Sequence, residues 1–229
     1  MTATLDEASG EFAEQLTELM QGCVSGSPEF GVVEAGHQLQ RRIGPMPWNS
    51  DARGFDLVPL PRACDGDGPS TLLLKVELRA SVTEHSGFLV VQTSDYGLWV
   101  RPDPRRKPRP VFRVEYVRDV RSKPSAHVHL HAESLEIGWI YGTAGLAPPR
   151  LSEFHFPVGG RRFRPTVEDL LQFLDRERLY TEWKPGWQAV VDRTLGDWEY
   201  KQASATVRDH TEVAVKQLRD MGYEVTPPT

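Results

Sequence analysis

From Thr71 onward the apolar residues of this chain recur at every second position, and that period of two constrains the fold more than any other feature. Leu72, Leu74, Val76, Leu78 and Ala80 alternate with Thr71, Leu73, Lys75, Glu77 and Arg79. Successive side chains of a strand point to opposite faces, so the pattern predicts a strand with one apolar side. Phe88 to Thr93 and Leu98 to Arg101 read as two further strands. Ser94-Asp95-Tyr96-Gly97 between them reads as a hairpin turn in which Gly97 takes positive φ. Val111 to Arg118 sets Phe112, Val114 and Tyr116 against Arg113 and Glu115. Ala126, Val128, Leu130 and Ala132 then alternate with His127, His129, His131 and Glu133, and Leu151 to Val158 closes the sheet with Phe154 and Phe156 inward.

Helical spacing flanks this region. Phe12, Leu16, Leu19 and Met20 lie on one stripe, with Ser9 as the expected cap and Gly22 as the stop. A second helix is expected over Gly31 to Ile43, where Val32, Ala35, Leu39 and Ile43 align before Gly44-Pro45-Met46-Pro47 forbids continuation. Residues 44 to 70 read mostly as loop, with Cys64 to Pro69 as a linker. Thr166 and Asp169 form a capping-box variant ahead of Val167, Leu170, Leu171 and Leu174. Further helices are expected over Pro185 to Tyr200 and from Val207 to a stop at Gly222. The order predicts an α+β fold: an antiparallel β-meander of five or six strands, helices packed on one face, and helical N- and C-terminal extensions. Residues 1–66 form the helical segment and loop, and 67–229 the sheet and C-terminal helices, as one compact unit.

With 229 residues and 39% hydrophobic content the chain can build a core. Its 19 glycines and 18 prolines imply many turns, which excludes a coiled coil or simple bundle. Cys23 and Cys64 are too few for a disulfide scaffold, so a reducing compartment is expected. Met1 to Met20 carries five acidic residues where a signal peptide needs a basic start and an apolar run, and no apolar stretch is long enough for a membrane span. A soluble, cytoplasmic protein is the expectation.

The most specific chemical feature is the histidine run. His127, His129 and His131 share one strand face, about 6.6–7 Å apart along it. The same face receives Lys75, Glu77, Arg79, Arg113, Glu115, Glu133, Glu153 and His155 if the alternation holds. Two chemistries fit. In one, His127 and His129 with Glu133 or His155 hold a divalent metal and leave a coordination position open. In the other, the imidazoles act as acid and base beside Arg113, which stabilises a phosphoryl anion. The plainer alternative is the wet side of a one-sided sheet.

The second feature is basic. Net charge is −5, yet residues 101 to 123 hold nine basic residues, Arg105 and Arg106 among them, against three acidic ones. Gly159-Gly160-Arg161-Arg162-Phe163-Arg164 adds three more cations and two glycines that leave backbone N–H groups accessible. Clustered cations of this kind suit a phosphate backbone whatever the global charge. A solvated proline-rich loop is the alternative.

His127-x-His129-x-x-x-Glu133 resembles the first metal motif of cupins over about seven residues, but Arg121 stands where cupins place a glycine and the later histidine is missing. The segment from His127 to Leu174, a strand with alternating histidines followed by Phe163-Arg164-Pro165-Thr166-Val167-Glu168-Asp169-Leu170-Leu171, resembles the carboxyl-terminal part of TumE-type toxins of bacterial toxin–antitoxin pairs. The resemblance covers about a fifth of the chain. It implies a bacterial protein acting with a cognate protein partner on RNA or translation, and assigns no residue a role. The resulting expectation is a protein that engages RNA or another phosphate-bearing ligand through its His/Glu/Arg face. A non-catalytic protein–protein interaction module and a metal-dependent small-molecule enzyme stand as alternatives.

Overall fold

The computed structural model describes residues 4–35, 39–49, 54–55, 57–66, 68–82, 88–118, 125–130, 135–146 and 164–226. Helix α1 (Leu5–Cys23) starts at Thr4, whose side chain accepts from the Glu7 N–H while the Glu7 carboxylate accepts the Thr4 N–H. The expected cap, Ser9, is instead fully buried. It lies on the stripe of Ala13, Leu16, Leu19, Met20 and Cys23 that faces the core.

The segment expected as a second helix is a β-hairpin: β1 (Phe30–Glu34) pairs antiparallel with β2 (Arg41–Pro45). The helical stripe there is a coincidence of spacing. Leu39 is exposed and Ile43 is buried, and the β-branched Val32, Val33 and Ile43 fit a pleated surface. Short β3 (Trp48–Asn49) and β4 (Gly54–Phe55) pair with each other. After β5 (Val58–Leu60) and a 3-10 turn over Ala63–Asp65 come the long strands β6 (Leu72–Val82), β7 (Leu89–Val100) and β8 (Arg109–Val117), then β9 (Ala126–Leu130). Seven of these form one antiparallel sheet in the order β1-β2-β6-β7-β8-β9, with β5 also on β6. Strands β1, β2 and β5 belong to the first 66 residues, so both halves of the chain share this sheet.

Strand β7 overturns the expected hairpin turn. Ser94 and Tyr96 are buried on the core side and Asp95 and Gly97 point to the other, so the four turn-forming residues run straight through. The expected last strand, Leu151 to Val158, lies outside the described residues.

Leu72, Leu74, Val76 and Leu78 of β6, Tyr96 and Leu98 of β7, and Phe112 and Val114 of β8 form the apolar face. Helix α1 packs on β1, β2, β6 and β7; helix α2 (Leu135–Thr143) contributes Ile140 and Tyr141 to the same core. Helix α3 (Val167–Arg176) lies against β7, and its Phe173 meets Phe112 edge-on at 5.2 Å between ring centroids. Helices therefore cover one sheet face, as the alternation requires. Helix α4 (Trp187–Asp209) begins within a compact unit spanning Met1–Val191 and continues into a second, Asp192–Thr229, which also holds α5 (Thr211–Asp220). No helix among the described residues is long and apolar enough to cross a membrane.

Candidate functional site: the polar face of the sheet

The face of the sheet away from the core carries two charged rows set by strand register. Glu77, Asp95, Glu115 and His127 stand across β6, β7, β8 and β9 in one; Lys75, Gly97, Arg113 and His129 form the next. Opposite charges adjoin in both directions. The Lys75 ammonium lies 2.6 Å from Asp95 Oδ2, Arg42 of β2 is ion-paired with Glu77, and Arg113 Nη1 lies 3.1 Å from Glu115 Oε1. Most of this charge is internally compensated.

The densest cluster lies at the edge formed by β8 and β9. His127 Nε2 and His129 Nε2 each lie 3.4 Å from the same atom, Glu115 Oε2. Their rings meet edge-on, with centroids 4.8 Å apart. One donor atom from each of the three residues fits within 4.8 Å of the others. Side-chain exposure is 13% for His127, 17% for Glu115 and 42% for His129, so the cluster opens to solvent on the His129 side. Two strand residues that need stand no closer than about 6.6 Å along the backbone thus lean together over one carboxylate.

Gly97 shapes the centre of this face. A Cβ there would sit 2.6 Å from the Phe112 carbonyl oxygen and 3.2 Å from Arg113 Cγ, so the bare Cα lets the Arg113 side chain lie across β7. Beyond it, Trp99 pairs with Leu73 and continues the face, and Arg101, whose N–H donates to the Thr71 carbonyl, is next in the alternation. Among the described residues, Trp99 Nε1, Arg101 Nε and Arg113 Nε are all buried without a hydrogen-bond acceptor, as Arg42 Nε is at the opposite margin, and Asp95 Oδ1 is buried without a donor.

Of the residues singled out from the sequence, Arg113, His127 and His129 are brought together. His131, Glu133, His155, Gly159, Gly160, Arg161 and Arg162 lie outside the described residues. Arg105 and Arg106 are exposed in the β7–β8 loop, where both approach Asp103. Arg109, at the start of β8, is six residues from Glu115, roughly 20 Å along the strand, so this loop stands apart from the imidazoles. Arg164, expected to bind phosphate, is only 6% exposed and sits on the core side. Its Nη1 is 3.4 Å from the Tyr96 hydroxyl and its guanidinium 5.8 Å from the Tyr116 ring, so it serves the interior. Trp99 was expected in a strand, Leu98 to Arg101, without a role; the alternation of Tyr96, Leu98 and Val100 with Gly97, Trp99 and Arg101 was the signal for the face it shares. No family model matches the chain, and neither a curated protein nor a solved structure does.

Proposed function

We propose that the polar face binds a phosphate-bearing ligand, with RNA as the macromolecule it takes. One observation carries the reading: Trp99 Nε1, Arg101 Nε and Arg113 Nε are buried donors with no acceptor among the described residues. Indole and guanidinium N–H groups can only donate. Leaving such a group unmet costs about 1–3 kcal/mol, which a ligand oxygen would recover once the side chain turns outward to meet it. Two of the three are cationic, so an anionic oxygen gains most. Asp95 Oδ1, an acceptor without a donor, suits a ligand hydroxyl such as the ribose 2′-OH, and the Trp99 ring offers a surface for base stacking. The resemblance to TumE-type toxins points the same way, to RNA as target in a bacterial cytoplasm and to a cognate protein partner.

Fluorescence anisotropy with a labelled single-stranded RNA tests this. Two phosphate contacts would weaken binding about sevenfold between 50 and 200 mM salt. Arg101→Ala and Arg113→Ala should each lower affinity and flatten the salt dependence. Salt-insensitive binding, or none at low salt, removes the reading.

A further inference from the structure

We infer that Glu115, His127 and His129 form a binding site for a first-row divalent metal ion, zinc being the ion the donors suit best. A carboxylate only accepts, and both imidazoles aim the same nitrogen, Nε2, at the same oxygen of Glu115. Either a proton on each Nε2, which a neutral ring can carry, or a metal ion has to lie between the imidazoles and the carboxylate. At 3.4 Å these contacts are longer than a good N–H···O bond, which spans 2.7–3.2 Å. They do match a metal site: donors held about 2.1 Å from one ion at the tetrahedral angle stand about 3.4 Å apart. Two of the three edges of the donor triangle are thus already in place. One donor atom from each of the three residues lies within 4.8 Å of the others, and His129 is the most exposed of the three, the side chain with most room to adjust.

The donor types narrow the ion. Two imidazoles and a carboxylate suit zinc and its first-row neighbours, whereas magnesium and calcium call for oxygen throughout. Three protein donors leave a position open for water or ligand, as sites that act on a substrate do and closed structural sites do not. Arg113 Nη1, 3.1 Å from Glu115 Oε1, occupies the other carboxylate oxygen and orients the first toward the ion. The sequence motif expected Glu133 as the carboxylate ligand; Glu115 supplies one from the neighbouring strand. This site deepens the phosphate reading, on which its ligand rests, since an open metal position is a second anchor for a phosphate oxygen; the metal itself binds or fails to bind without one.

The test uses the full chain and the metal alone. Protein stripped with chelator, loaded with zinc and dialysed should retain about one zinc per chain, and cobalt in its place should give the visible bands of a tetrahedral site. Glu115→Gln and His129→Ala should each weaken zinc affinity by more than about 100-fold, because loss of an orienting partner alone weakens it 10–100-fold. His210→Ala, altering an exposed histidine of the second unit, should leave it unchanged. Glu115→Gln keeps the side-chain volume and His129→Ala trims an exposed group, so circular dichroism should report both as folded. Wild-type protein that retains neither metal, or a His129→Ala variant that retains zinc equally, overturns the inference. RNA binding by the stripped protein separates the two readings: RNA bound without zinc uptake removes only the metal, and zinc bound without RNA at any salt removes only the phosphate ligand.

Discussion

Gly97 is the residue whose replacement the sheet should tolerate least. An added Cβ would meet the Phe112 carbonyl oxygen at 2.6 Å, and that oxygen belongs to the backbone of the adjoining strand. Relief requires moving the β7–β8 ladder, so Gly97→Ala should lower stability by about 1–3 kcal/mol. Gly31 provides the contrast. There the new Cβ would meet Met46 Cγ at 2.8 Å, but Met46 is an exposed, flexible side chain that can swing aside. Urea unfolding of both variants decides the matter, with the larger loss expected at position 97; equal losses would mean that β8 yields as easily as a methionine. The same glycine shows where sequence reading stops. Ser94-Asp95-Tyr96-Gly97 has turn-forming chemistry, and what overrides it is burial of Ser94 and Tyr96 beneath elements distant in sequence. His127 and His129 share a face because of a local period, which is legible. Their meeting with Glu115 depends on the β8–β9 register, which no local pattern encodes.

At the scale of elements, legibility follows how local the determinant is. The start of α3 is spelled out by Thr166 and Asp169: Asp169 Oδ2 accepts the Thr166 N–H at 2.8 Å, and Thr166 Oγ1 accepts the Asp169 N–H at 3.4 Å. Thr166→Ala should therefore cost about 0.5–2 kcal/mol, and Thr166→Ser should recover most of it, read from denaturation midpoints. A midpoint unmoved by the alanine would mean that packing of Leu170, Leu171 and Leu174 alone fixes the helix. Helix α1 uses the same device one turn earlier than expected, because Thr4 and Glu7 precede the apolar stripe and Ser9 lies within it. The β1–β2 hairpin was illegible for a different reason. Val32, Ala35, Leu39 and Ile43 satisfy a helical period, and pairing of β2 with β6, Ile43 opposite Leu78 among it, helps select the strand.

Across the whole molecule, the core that the sheet and helices enclose also buries groups that ionise at high pH. Burial pushes the Cys23 thiol from 9.0 up to about 12 and the Tyr180 phenol from 10.0 up to about 12, the latter with Glu182 and Asp65 adding to the effect. Burial raises Tyr96 as well. In the folded protein these groups keep protons that the unfolded chain releases at its ordinary values. The folded state therefore binds more protons in that window, and stability falls as pH rises. The contribution is complete below about pH 9, declines as first the thiol and then the phenols ionise in the unfolded chain, and is lost as pH passes through about 12. Tyr180→Phe sacrifices the hydrogen bond from the phenol to the Glu182 carbonyl, 2.9 Å, so it should be less stable at neutral pH. It has no proton to lose, however, so its stability should fall less steeply than that of the wild type between pH 10 and 12. Urea midpoints at pH 8, 10 and 11 would reveal the converging curves. Parallel curves would mean that Tyr180 ionises equally easily in both states, and that the contacts sealing it beside Trp183 open before the sheet does.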